Sequence, residues 1–442
     1  MTTRRDFIKK TAKGTAGLAV GSLLMPNLGF GNIIGANERL NVAVIGVRSR
    51  AKSLMQAIDK YSNAKIIYTC DVDDLIIEEN NSWMEKNIGY VPKVEKDFRK
   101  ILDDKDVDAV FIATPEHWHA PMAISALQAG KHVYVEKPCS HNLFENELLV
   151  EAQKKYNKVV QMGNQQRSAV TSQLAVKEIK EGIIGEAYKG EAYYSNNRSS
   201  IGIGKEIAVP STLDWDLWQG PAPRENFRDN IHPYNWHWFK TWGTGEIHNN
   251  GTHEIDICRW ALGLDIPKKV TSFGGKHMYK DDWEFTDTQE VMYEYDNDKL
   301  ITWTGHSRGL IKPSQPGRGA TIYGSKGTIM LSRNSYQLFG LDGTLIKKVD
   351  EAEESATLDT AGAGSLDVTH VSNFFNAIRL GETQNSPIAD ASISTMLCHL
   401  GNIAQEVNRT IELDTKTGKI FDDDEAMSYW SREYESGWKP KL

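Results

Sequence analysis

Two short polar runs carry side chains able to hold or move a proton, and each closes an apolar segment. Thr114 to His119 (TPEHWH) follows VDAVFIA, and Glu136 to Pro138 (EKP) follows HVYV. Polar groups gathered where buried strands end are candidates for binding or catalysis rather than surface decoration. A third run, Asn164 to Arg167 (NQQR), ends the segment VVQMG and places Asn164, Gln165, Gln166 and Arg167 in the same kind of position. A fourth, Tyr234 to His248 (YNWHWFKTWGTGEIH), concentrates aromatics and histidines and reads as a pocket wall containing Trp236 and His237. His237, His248 and His253 fit no standard zinc spacing, so the expected metal content is none.

These groups need strands and helices to hold them. Leu40 to Gly46 (LNVAVIG) is an apolar, β-branched run of the kind that forms a buried parallel strand. Ser53 to Ile58 reads as the following helix, and AKIIYTCD as a second strand ending at Asp71. Asp71 lies 25 residues after Gly46, close to the ~20-residue offset at which a dinucleotide fold sets a carboxylate on the ribose. The glycine fingerprint is altered: Gly46, Val47, Arg48, Ser49, Arg50 and Ala51 stand where G-x-G-x-x-G is expected. Gly46 can make the tight turn and Ala51 can serve as the third position, while Arg48 and Arg50 offer charge to phosphates. Asp71 would repel a 2′-phosphate, which favours NAD over NADP. Alternating strands and helices up to about residue 160 imply a doubly wound parallel sheet. Beyond it, period-two segments such as KGEAYY, VMYEYD and KLITWTG imply a different, antiparallel sheet.

The run ATPEHWHAPMAISALQAGKHVYVEKP together with GTGEIHNNGTHEIDICRWALG resembles the glucose–fructose oxidoreductase/inositol dehydrogenase (Gfo/Idh/MocA) family. DWDLWQGPAP, YGSKGTI and CHLGNIA extend the likeness from about Leu40 nearly to the C-terminus. The resemblance implies an N-terminal Rossmann domain over residues 36–160. It also implies a C-terminal α/β domain with a large, mainly antiparallel sheet over residues 161–442, used for substrate and for homo-oligomerisation. It makes Lys137 the acid–base residue beside nicotinamide and substrate, and His253 the residue that hydrogen-bonds the reacting oxygen. A buried amine near a positive ring should have a depressed pKa, which suits that role. Where much of the family has an aspartate four residues before the histidine, this chain has Asn249, which can orient a hydroxyl but not accept its proton. Asp256 is expected to orient the His253 ring. By the same likeness Gly46, Arg48, Ser49, Arg50, Asp71, Thr114, Pro115, His117, Trp118, His119, Glu136 and Asn164 face the cofactor. Gln165, Arg167, Trp236, His237 and Asn249 face the substrate.

Composition bounds the partners. The chain has 442 residues, is 40% hydrophobic and carries a net charge of −8, so no basic face is available for nucleic acid. Twelve Trp and 16 Tyr suit sugar stacking and an aromatic core equally. Cys70, Cys139, Cys258 and Cys398 are widely spaced and read as buried free thiols. TTRRDFIKK followed by TAGLAVGSLLM resembles a twin-arginine export signal over residues 1–35, which implies a periplasmic protein without a stable membrane anchor. The Glu351 to Ser365 stretch is expected to be a mobile loop. The leading expectation is therefore an NAD(H)-dependent oxidoreductase acting on a secondary hydroxyl of a sugar or glycoside, with retained cofactor. Two alternatives stand beside it: a redox-neutral, NAD-dependent glycosidase, and a non-catalytic sugar-binding relative.

Overall fold

The LNVAVI run forms strand β1 (Leu40–Ile45), flanked by parallel partners on both sides, so nearly every side chain on it is buried. That is why it lacks polar alternation. This computed structural model describes residues 39–309, 316–350 and 365–442. The export signal lies outside the described residues, as does all of the 351–365 stretch except Ser365. The first sheet also contains β2 (Ala64–Cys70), β3 (Lys93–Glu95), β4 (Ala109–Ile112), β5 (His132–Val135) and β6 (Val160–Met162). Its order is β3-β2-β1-β4-β5-β6, all parallel. The order reverses beside β1, and that reversal opens a crevice at the carboxyl ends of β1 and β4. The helix after β1 spans Ser49–Asp59, four residues longer at its start than the sequence suggested.

The second sheet has nine strands. They are β7 (Ala187–Ser195), β8 (Lys269–Gly275), β9 (Thr288–Glu294), β10 (Leu300–His306), β11 (Arg318–Gly324), β12 (Gly327–Leu331), β13 (Ser335–Gly340), β14 (Leu345–Asp350) and β15 (Ile411–Glu412). Their order is β14-β13-β12-β11-β7-β10-β9-β8-β15, antiparallel except for the β7–β10 pair. On β10, Ile301 and Trp303 point into a core while Thr302 and Thr304 point away, the period-two pattern read from KLITWTG. Helix Thr252–Leu262 packs on this inner face. At Gly190 a Cβ would stand 2.7 Å from that of Cys258, so glycine is required where helix meets strand.

One packing relation is invisible in the order of the elements. Helix Ser365–Leu380, far along the chain, returns to the first sheet. Its Val371, Phe374 and Phe375 join Val42, Phe111 and Tyr134 in one core. The four cysteines are all buried and free.

Candidate active site

The carboxyl ends of β1, β2, β4 and β5 open into a cavity of about 460 Å³. Asn249, Asn250 and His253, with Arg318 and Arg333, contribute its other wall. At the cofactor end, Gly46 takes φ +80°, and a Cβ there would lie 2.8 Å from the Ala113 and Thr114 backbone. Only glycine makes this turn without strain. Helix Ser49–Asp59 then begins without a side-chain cap and without an acid in its first turn. Its leading N–H groups are therefore left to an anionic ligand such as a pyrophosphate. Asp71, at the end of β2, accepts N–H bonds from Val47 (3.0 Å), Val72 (2.8 Å) and Asp73 (3.3 Å). Burial pushes its carboxyl up while those N–H groups pull it down. Thr114 lines the cavity with a buried hydroxyl that has no partner among the described residues. Turn, uncapped helix and carboxylate together fit a dinucleotide.

Arg50 corrects one expectation. Its Nε donates to Glu136 (2.8 Å) and its two Nη groups grip Asp367 (3.0 and 2.7 Å). The guanidinium that was to meet phosphates instead ties the first helix to helix Ser365–Leu380. Arg48 and Ser49 stay exposed at the lip of the cavity.

Deeper in, Lys137 Nζ donates to the backbone carbonyl of Asn249 (2.6 Å) and lies 3.5 Å from its Oδ1. Asn249 sits in a π-helical turn, Ile247–Gly251, that widens the start of helix Thr252–Leu262. Such turns release carbonyls from the helical ladder. Burial lowers the Lys137 pKa, and the carboxylates Glu116 and Glu136 pull it back up. Glu116 is itself buried and accepts a hydrogen bond from the Thr244 hydroxyl. Burial pushes its carboxyl up to about 7, against the pull of Lys137. His253 is buried, its Nδ1 has no partner among the described residues, and burial plus the charge of Lys137 keep its pKa well below the usual value. His237 stacks on Trp236 at 3.6 Å between ring centres. Its Nδ1–H donates to the Tyr234 carbonyl (2.6 Å), leaving Nε2 as an acceptor.

Gly46, Arg48, Ser49, Arg50, Asp71, Thr114, Pro115, Trp118, His119, Glu136, Lys137, Gln165, Trp236, His237, Asn249 and His253 all line this one cavity. Three expected residues do not. His117 is fully buried and its Nε2–H donates to the Trp218 carbonyl (2.9 Å). Asn164 is buried outside the wall, its amide without a partner among the described residues. Arg167 forms a buried two-pronged ion pair with Asp256 (2.7 and 2.8 Å). Asp256 is consumed by that pair and by the Ser394 hydroxyl (2.6 Å), so it does not orient His253. His119, in the wall, is held between the carbonyls of Pro138 (2.6 Å) and Thr114 (2.8 Å) and braces the two strand ends. Among the described residues no cluster of His, Cys, Asp and Glu gathers as metal ligands do. Sequence reading missed Glu116, Arg318 and Arg333. Glu116 was visible within TPEHWH, whereas the arginines stand in strands and turns with no motif around them.

Comparison with known proteins places this geometry. Residues 40–164 match the model described as oxidoreductase family, NAD-binding Rossmann fold. Residues 173–330 match the GFO/IDH/MocA C-terminal domain. Glycosyl hydrolase family 109 protein 1 of Shewanella sp. (strain ANA-3) is 28% identical over 208 residues, 43% of this chain and 45% of that protein. An alpha-N-acetylgalactosaminidase of Shewanella oneidensis is 26% identical over 208 residues, with the same two coverages. The chain thus spans less than half the length of these curated relatives. Levoglucosan dehydrogenase, solved with NADH and L-sorbose, shares the fold with a TM-score of 0.67 at 20% identity, over 85% of this chain and 99% of that one.

Proposed function

Because the chain belongs to the Gfo/Idh/MocA family of NAD-binding oxidoreductases, we propose that it oxidises a secondary hydroxyl of a sugar or glycoside. The observation that carries this reading is the Lys137 amine. It sits half-buried in the cleft wall, its pKa lowered by desolvation, on the same cavity as the unpartnered Nδ1 of His253. NAD, when bound, supplies the two-electron acceptor for the carbon that bears the hydroxyl. Gly46, the first turn of helix Ser49–Asp59 and Asp71 would hold it. Lys137 Nζ takes the hydroxyl proton, which requires the amine in its neutral form, and desolvation favours that form. His253, neutral in the same wall, orients the reacting oxygen, and Asn249 and His237 supply further hydrogen-bond partners for sugar hydroxyls. Stacked Trp236 and His237 offer an apolar face for the ring.

A redox-neutral glycosidase is the second reading, and the relatives named glycosyl hydrolase family 109 and alpha-N-acetylgalactosaminidase favour it. There the same lysine first removes the hydroxyl proton. The carbonyl formed acidifies the neighbouring C–H; loss of that proton expels the aglycone and leaves a conjugated double bond, water adds across it, and return of the two electrons that bound NAD would hold restores the hydroxyl. Glu116, protonated up to about pH 7, is the acid available in the wall.

Export by the twin-arginine route to the periplasm is part of the proposal, resting on Arg4, Arg5 and the apolar run that follows. Outside the cytoplasm there is no dependable NAD pool, so both readings entail retained cofactor. Incubating the protein with NAD and a panel of glycosides separates them. Net growth of nicotinamide absorbance indicates a dehydrogenase, and aglycone release without it indicates the glycosidase. A protein that binds sugars but performs neither reaction is the non-catalytic relative. Replacing Arg4 and Arg5 by lysine should leave the protein in the cytoplasm; unchanged secretion would remove the export assignment.

A further inference from the structure

The cleft wall that holds His253 also holds an arginine, Arg333, with no ion pair among the described residues. Lys137, Arg333, Arg318 and Arg50 all act on the His253 ring through their charge, lowering its pKa. Arg50 is neutralised by Glu136 and Asp367. Lys137 lies within the influence of Glu116 and Glu136. Arg318 Nε is paired with Glu254 (2.6 Å), and its Nη1 reaches the Asn250 amide oxygen (3.3 Å), but its buried Nη2 has no partner. Arg333 has no ion pair among the described residues, and its Nε is buried and without a partner. Both arginines line the cavity that contains Lys137, Asn249 and His253.

Arg333 is not a loose surface side chain. It sits in the turn between β12 and β13, which is closed by the Ser332 N–H to the Ser335 carbonyl (2.9 Å). The same turn is tied to the segment after β6 by Gln166, whose Nε2 donates to the Ser332 carbonyl (3.2 Å). Arg333 is half-buried with its Nε shut off from water, and a guanidinium in that position without a counter-ion is costly unless a ligand completes it. That cost shows in its pKa, which burial and then the neighbouring Arg318 lower to about 9. Glu254 is the carboxylate that raises it most, and one of its oxygens is already engaged by Arg318.

We propose that Arg333 and Arg318 form an anion subsite on the substrate side of the cleft, so that the preferred sugar carries a carboxylate or a sulfate ester. This deepens the sugar reading above and rests on it. A planar carboxylate suits the paired N–H groups of a guanidinium, and a sulfate offers the same acceptor oxygens.

The test is calorimetric titration of the full chain saturated with NADH, using methyl β-D-glucuronide, glucose 6-sulfate and neutral methyl β-D-glucoside. At least one anionic probe is expected to bind about tenfold or more tightly than the neutral one. Which anion gains the preference identifies the source of the charge. Arg333→Gln should abolish most of that preference, and Arg333→Lys, which keeps the charge, should retain part of it. Raising salt from about 50 to about 500 mM should weaken the anionic probe selectively in the unaltered protein, a readout that needs no variant to fold. A neutral probe that binds as tightly as both anions, or a preference that survives Arg333→Gln, overturns the subsite, as does failure of both anions to bind. Loss of NADH binding would instead sink the oxidoreductase reading, and it is measured separately.

Discussion

Half-buried Lys137 and fully buried Glu116 make opposed proton demands within one wall of the cleft. Lys137 must be neutral to accept a proton, and the negative charge of Glu116 raises its pKa. Glu116→Gln removes that charge, so the rise of kcat/KM with pH should move to lower pH; a profile unchanged by the substitution would show that the two groups do not communicate. Lys137→Ala should lower kcat/KM by roughly a thousandfold or more while NADH still binds, as steady-state rates and a fluorescence titration would show. Much of this was legible in the sequence. EKP and the later histidine stand in compact, local motifs, and a strand-end lysine has few bland explanations. Glu116 went unassigned because a carboxylate in a polar run gives no sign of its burial until Thr244 and the surrounding wall are in place.

Among elements, the misreadings share one cause. Arg167 follows a strand and looks free to reach substrate, but its partner Asp256 lies 89 residues away on another helix. Asp256 looks like a neighbour of His253 by helical spacing, yet its carboxylate is taken up by Arg167 and Ser394. Local spacing contains neither fact. Arg167→Met would leave Asp256 short of its main counter-ion and should destabilise the fold by about 3 kcal/mol, read from the denaturation midpoint. A substitution that weakened substrate binding without shifting the midpoint would return Arg167 to the substrate wall. The first strand–turn–helix unit, by contrast, is written in adjacent residues, and its glycine is indispensable. Gly46→Ala combines a positive φ with a Cβ 2.8 Å from backbone, so it should cost on the order of 2 kcal/mol or more and weaken NADH binding. Wild-type stability and affinity in that variant would show that the turn has another way to form.

For the whole molecule, composition and periodicity foretold two sheets of different kinds, because each kind imposes its own burial pattern on the chain. They did not foretell the return of helix Ser365–Leu380 to the first sheet, since an amphipathic helix does not specify which apolar face it covers. That return has a consequence. Through Asp367 it fixes Arg50, and through Arg50 it fixes Glu136, the residue beside Lys137. The wall that holds Lys137 is thus braced from the far end of the sequence. Among the described residues no helix is long and apolar enough to cross a membrane, and the negative net charge suits a neutral or locally guided ligand better than a polyanion. Every reading that treats this protein as an enzyme requires that the cleft hold NAD. Titration of the folded full chain with NADH, followed by nicotinamide fluorescence, tests that requirement most directly. Saturation is expected at one NADH per chain, displaced by NAD; a folded protein that bound neither NADH nor NADPH would show that the cleft holds no dinucleotide.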